Sequence, residues 1–179
     1  MNWFIDAHED LAWNMACFQR DYSQSAYITR QKETGTQIPA FNGDTMLGWP
    51  EYHLARVAVI FGSLYATPAR PIYQSSLDLQ IFRTPEEAHK LYWKQLELYL
   101  QLCDQKPWAF RLIQTQADLQ SHLANWQVDV DPIAQTPQKP VGIVPLMEGA
   151  DAILSTGELP QWWQAGLRII GLAWVGNRF

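Results

Sequence analysis

The sequence predicts an α/β protein of the (β/α)-barrel type, with about five parallel strands joined through helices, and three observations predict it. Strand-like and helix-like segments alternate along the chain as β, long connection, β, α, β, α, β, α, β, the pattern of a parallel sheet with right-handed crossovers. The runs at 56–66 and 141–147 are almost continuously apolar, as in strands covered on both faces. No Gly-x-Gly-x-x-Gly follows the first strand, which withdraws support from a dinucleotide-binding sheet. A barrel built in order is the better match, and barrels carry their chemistry at the C-terminal strand ends. His8 and Asp10 fall at one such end and Glu148 at another.

Each element has its own signal. The first strand starts near Trp3 and runs into Phe4-Ile5-Asp6-Ala7-His8-Glu9-Asp10, and Leu11–Phe18 is apolar enough for a short helical turn. Residues 21–53 are polar and rich in Gly, Thr, Ser and Asn, with turn signals at Asn42-Gly43 and Gly48-Trp49-Pro50; they predict a long loop or insertion, a length often tied to function. The second strand, Arg56–Ala66, ends before Pro68 and Pro71. Thr84 then caps a helix with Pro85 at its first position and Glu87 closing a capping box. Ala88, Leu91, Tyr92, Gln95, Leu96, Tyr99, Leu102 and Cys103 recur along it at helical spacing, with Gln95 the one polar member, until Pro107. A short strand at 108–114 and a helix opened by Thr115 follow, the helix carrying Leu119, Leu123 and Trp126 on one face. A polar, Pro-containing link covers 128–140. The last elements are a buried strand at 141–147, a helix at 159–166 with Pro160 in its first turn, and an apolar strand at 167–174.

Composition narrows the function. The 179 residues suit a single domain, with 47% hydrophobic and 17% charged residues, so the chain is neither disordered nor fibrous. The net charge of −5 and the lack of a basic run argue against a nucleic-acid partner. No uncharged apolar stretch reaches the ~18 residues of a membrane span, and the first strand leaves no room for a signal peptide. Cys17 and Cys103 show no metal spacing, so they read as free thiols of a reducing compartment, which points to the cytoplasm.

The His8-x-Asp10 pair carries the chemistry. Side chains alternate along a strand, so His8 and Asp10 point the same way and Glu9 the other. An imidazole and a carboxylate side by side at a strand end suit a divalent metal such as zinc, which takes both N and O ligands. Asp6, Glu9 and Asp10 crowd around the imidazole, a concentration of charge that a cation offsets.

Four segments carry a resemblance. Asp6-Ala7-His8-Glu9-Asp10-Leu11-Ala12-Trp13 resembles the Asp-Gly-His-x-Asp-Leu-Pro-Trp opening of the membrane (renal-type) dipeptidases, peptidase family M19. Phe61-Gly62-Ser63-Leu64-Tyr65 is similar to that family's Phe-Trp-Ser-Val-Tyr, Glu148-Gly149-Ala150 to its Glu-Gly-Gly or Glu-Gly-Ala, and the strand from Gly166 to Leu172 to its Gly-Val-Arg-Tyr-Leu-Thr-Leu. The resemblance implies a (β/α)8 TIM-type barrel of about twice this length, of which the chain would be the N-terminal part. It implies a site with two zinc ions, with His8 and Asp10 on one and Glu148 bridging both, and hydrolysis of a dipeptide by metal-activated water. No side chain of this chain is implied as a catalytic group in its own right. By position Trp13, Tyr65 and Trp174 would line the substrate pocket.

The departures shape the expectation. The family's second zinc takes two histidines from later strands, and a substrate-binding arginine and a catalytic aspartate lie later still. His53, His89 and His122 do not replace them and read as solvated surface residues. Trp174 stands where the family often carries a substrate-facing histidine, and an indole neither accepts a proton nor ligates metal. Five strands do not close an eight-stranded barrel, so the reading is a piece of a barrel completed by a second chain or by a homodimer, holding at most one zinc. The substrate would be a dipeptide or a related small amide. The alternatives are a non-catalytic family member acting as a binding module, and an amidohydrolase-like enzyme acting on another amide or a lactone.

Overall fold

A computed structural model of the chain describes residues 3–70, 75–127 and 139–174. The first strand, β1 (Phe4–Glu9), leads directly into α1 (Leu11–Phe18). The stretch 21–53, predicted as a long loop or insertion, instead carries three short helices: α2 (Ala26–Glu33), α3 (Ile38–Asn42) and α4 (Trp49–Leu54). Their caps explain them. Ser25 accepts from the Tyr27 N–H and donates to Glu51 across the excursion, while Pro39 and Pro50 sit in the first turns of α3 and α4. The Arg20 guanidinium donates to both carboxylate oxygens of Glu33 at 2.7 and 3.0 Å, with both side chains buried. This pair locks α2 against the end of α1.

β2 (Val57–Leu64) is buried along almost its whole length. A small two-stranded sheet follows, β3 (Thr67–Pro68) with β4 (Ile81–Phe82), which the sequence reading missed. α5 (Pro85–Gln105) begins where predicted. Thr84 accepts from the Glu87 N–H, and the Glu87 carboxylate reaches back one residue further than a capping box requires, to the Arg83 N–H. β5 (Phe110–Leu112) and α6 (Gln116–Gln127) follow, then β6 (Val141–Glu148), α7 (Leu159–Ala165) and β7 (Ile169–Gly171). The ladders at β5 and β7 are shorter than the apolar runs at 108–114 and 167–174. Most of the predicted link over 128–140 lies outside the described residues.

All pairings in the main sheet are parallel, and its order is β1-β2-β6-β5, with β7 also paired to β6. The strands therefore do not follow one another strictly in sequence. β2 lies directly against β6, and the far edge of β6 is shared by two short strands: β5 against residues 141–143 and β7 against 146–148. Pro145 marks the division. The Ile143 carbonyl accepts from the Ile113 N–H and the Pro145 carbonyl from the Arg168 N–H, so both residues face the same edge. Proline has no N–H to extend the ladder toward β5, and the pairing passes to β7.

The core lies between the sheet and the helices, where Ala58, Ile60, Leu64, Tyr92, Leu96, Tyr99, Phe110, Ile143 and Met147 are fully buried. His122, read from the sequence as a solvated surface residue, is 1% exposed; its Nε2 lies 2.8 Å from the Ala58 carbonyl and burial lowers its pKa. The missing side chain of Gly142 makes room for it, since a Cβ there would come within 3.0 Å of the ring nitrogen. His53 and His89 are likewise only half-exposed, packed against Trp49 and Trp126 and against Trp93 and Trp162 respectively. The sheet keeps apolar groups in water at its outer strands: Phe4 and Ile5 on β1, and Leu172 and Trp174 beyond β7. Among the described residues no helix is long and apolar enough to cross a membrane.

The buried ion pair gives a direct test of the 21–53 excursion. Arg20→Ala leaves the Glu33 carboxylate buried without its partner and is expected to cost about 3 kcal/mol in urea unfolding.

Candidate metal centre

Parallel pairing brings the C-terminal ends of β1, β2 and β6 to one rim. β1 and β2 are out of step between Asp6 and Glu9, where three residues of β1 pass two of β2 (Asp6 opposite Ile60, Glu9 opposite Gly62). That irregularity falls just where the motif lies. His8 and Asp10 still converge as strand alternation predicts, with His8 Nε2 3.4 Å from Asp10 Oδ1. Glu9 turns instead toward the buried Tyr52. Its carboxyl is pushed up to about 8, first by loss of water and then by the neighbouring Asp6.

Glu148, the last residue of β6, completes the group. Its Oε2 lies 3.2 Å from His8 Nε2, and one ligand atom from each of His8, Asp10 and Glu148 lies within 4.8 Å of the others. Among the described residues this is the group of three or more His, Cys, Asp or Glu side chains placed to hold a metal ion. Burial raises the Glu148 carboxyl, and the carboxylate of Asp10 adds to the rise while the imidazole opposes it. The donor set, one imidazole nitrogen and two carboxylate oxygens, is of a kind that a divalent cation such as zinc accepts. Ligands about 2.0–2.1 Å from a tetrahedral centre stand roughly 3.3–3.4 Å apart, and the two separations from His8 are 3.2 and 3.4 Å.

The backbone beneath these ligands is held by one face of α5. The Tyr92 hydroxyl donates to the Glu148 carbonyl at 2.8 Å. Gln95, fully buried, accepts from the Tyr65 N–H and donates to both the Tyr65 carbonyl and the Gln80 side chain. Tyr99 reaches the ends of β1 and β2. Ser63 donates to Asp10 Oδ1. The sequence reading missed Tyr92, Tyr99 and Ser63 as part of the site. The available signal was Gln95, a lone amide in an otherwise apolar helical stripe, because a buried amide needs partners on a neighbouring element.

The three aromatic residues placed by resemblance in a substrate pocket do not form one cluster. Tyr65 and Trp174 pack edge to face, 6.5 Å between ring centres, with Trp174 about half exposed. Trp13 packs edge-on against Phe18 instead, and its buried indole N–H meets no acceptor among the described residues.

No family model matches the chain, and no curated protein matches it by sequence. Solved structures do. The dipeptidase AC, a metallopeptidase of family M19, superposes with a TM-score of 0.61 at 19% identity, over 96% of this chain and 43% of its own. A metallopeptidase from Rhodobacter sphaeroides, liganded with a phosphinate mimic of the dipeptide L-Ala-D-Ala, gives 0.61 at 17% identity over 96% and 45%. The probable dipeptidase PvdM from Pseudomonas aeruginosa gives 0.60 at 13% identity over 98% and 35%. The chain thus spans less than half the length of each of these structures and has the fold of the N-terminal part of the M19 barrel.

The raised Glu9 carboxyl sets a pH dependence. The unfolded chain ionises Glu9 near its ordinary value of 4.5, while the folded chain keeps the proton until about 8. Unfolding therefore releases a proton in that window, and the metal-free chain is expected to lose stability as pH rises from about 4.5 to about 8. Glu9→Gln should flatten the decline in denaturant midpoints measured across that range.

Proposed function

We propose that this chain supplies the first metal-binding portion of a zinc-dependent dipeptidase centre, with His8, Asp10 and Glu148 as the ligands. The observation that carries the proposal is the convergence of one imidazole nitrogen and two carboxylate oxygens, all within 4.8 Å of one another, at the C-terminal rim of a parallel sheet. The likeness of fold to metallodipeptidases supports the same reading. Three protein ligands leave a position open, as catalytic zinc sites do.

A divalent cation at this rim supplies Lewis acidity toward a carbonyl oxygen and a more acidic water. The chain's own residues supply the rest. His8 and Asp10 present their donors from positions two residues apart on one segment, so their spacing is set locally. Glu148 sets the third corner from a different strand, and its burial makes charge neutralisation by a cation favourable. The substrate class is a dipeptide or a related small amide, with the Tyr65–Trp174 pair as its aromatic contact. The apolar groups exposed at Phe4, Ile5, Leu172 and Trp174, and an apolar cleft beside Leu159, Trp163 and Ile170, support completion of the barrel by a second chain or a second copy.

Calorimetric titration of the chain with zinc is expected to show one site, lost in His8→Ala and in Glu148→Ala. Affinity should rise with pH as the Glu148 carboxyl ionises, because the cation competes with a proton for it. Hydrolysis of dipeptides by the isolated chain is expected to be slight, and assays against N-acyl amino acids and lactones separate a dipeptidase from an enzyme of another amide or ester. The absence of any zinc uptake by the intact chain would refute the metal centre.

A further inference from the structure

The Ser63 hydroxyl is fully buried and donates to Asp10 Oδ1, the oxygen that faces His8. The backbone that carries Ser63 is held from behind. The Tyr99 hydroxyl, rooted on α5, donates to the Ser63 carbonyl at 3.0 Å, with the Glu9 carbonyl a second acceptor at 3.2 Å, and it accepts from the Ala12 N–H at 3.2 Å. One hydroxyl thus ties the end of β2 to the two sides of Asp10, at Glu9 before it and at the start of α1 after it. The chain makes room for this. A Cβ on Gly62 would stand 2.7 Å from Tyr99 Cζ and 3.0 Å from its hydroxyl, so only a glycine lets the ring pass under the sheet. Asp10 needs such support, because its side chain makes no capping hydrogen bond to α1 and remains substantially exposed.

We propose that Ser63 and Tyr99 are positioning residues of the metal centre: Tyr99 seats Ser63, and Ser63 aims the Asp10 carboxylate at the cation. This rests on the reading of His8, Asp10 and Glu148 as metal ligands. The carboxylate has two oxygens, and a donor fixed on one of them sets both its rotamer and which lone pairs remain for the metal. Loss of a hydrogen bond to a ligand of this kind lowers metal affinity by about 10- to 100-fold. Tyr99 acts one step further away, through Ser63 and through the Glu9 and Ala12 backbone on either side of Asp10, so its removal should be partly redundant with loss of the Ser63 hydroxyl.

The test is binding of Co²⁺, read by its ligand-field absorption, and of Zn²⁺ by competition, with the full chain. Ser63→Ala is expected to weaken both by about 10-fold or more and to change the cobalt spectrum, and Ser63→Thr, which keeps the hydroxyl, should restore the spectrum. Tyr99→Phe keeps the ring beneath Gly62 and removes only the hydroxyl, so it serves if Ser63→Ala does not fold; it should weaken binding in the same direction. The double variant should weaken binding by less than the product of the two single fold-changes. Leu102→Val, elsewhere on α5, should lower the melting temperature of the metal-free chain and leave metal affinity unchanged. If wild type binds cobalt and both hydroxyl-deleted variants bind it equally well with the same spectrum, the positioning role is overturned while the metal centre stands. If Leu102→Val weakens binding as much as Tyr99→Phe, the effect is one of general stability and the role is likewise overturned. A wild-type chain that binds neither ion overturns the metal centre and the positioning role together.

Discussion

The site depends on the parallel register of β2, which carries β1 on one edge and β6 on the other. His8 and Glu148 are far apart in the chain, yet both are delivered to one rim because all three strands run the same way and end at similar heights. Antiparallel pairing at either ladder would send one of the ligands to the opposite end of the sheet. The bulge in β1 between Asp6 and Glu9 refines this delivery: it lets a motif with strict alternation sit at the strand's last turn without losing the juxtaposition of His8 and Asp10.

Electrostatics explains why this rim stands apart from the rest of the surface. Asp6, Glu9, Asp10 and Glu148 bring four carboxyl groups to this rim, Asp10 and Glu148 against the His8 imidazole, and Glu9 and Glu148 are held above the usual carboxylate range, chiefly by burial. Carboxyl groups gathered with so little neutralisation are costly to the fold. The fold accommodates them by separating their roles. Glu9 keeps its proton among the tyrosines behind β1, whereas Asp10 and Glu148 turn toward the imidazole, where a cation can balance them. α5 holds the frame for both, with Tyr92, Gln95 and Tyr99 spending their polar atoms on the backbone at Glu148, Tyr65 and Ser63.

Much of this was readable in the sequence, and the physical reasons are specific. The buried strands at 57–64 and 141–148 announced themselves because residues covered on both faces are apolar without alternation. α5 announced itself through its cap, because Thr84 and Pro85 are suited to little else. The His8–Asp10 pair was readable because it depends on local geometry alone. The approach of Glu148 to that pair is a long-range fact, and it entered through resemblance together with its place at a strand end. Three features were not readable. The helices in 26–54 are short and held by tertiary contacts such as Arg20–Glu33 and Ser25–Glu51, which residue propensity does not record. The burial of His122 depends on the absent side chain of Gly142, twenty residues away. The sharing of β6's far edge between β5 and β7 falls at Pro145, a residue that in isolation argues against a central strand.

Pro145 also has a consequence for how such a chain can change over time. By splitting one edge of β6 between two partners, it divides the strand into a base, paired with β5, and a tip, paired with β7 and carrying Glu148. Alterations in β7 bear on the Glu148 rim directly, through the ladder that pairs Gly171 with Glu148. Substitutions at β5 and at β7 therefore bear on different ends of β6, and the end that carries Glu148 answers to β7.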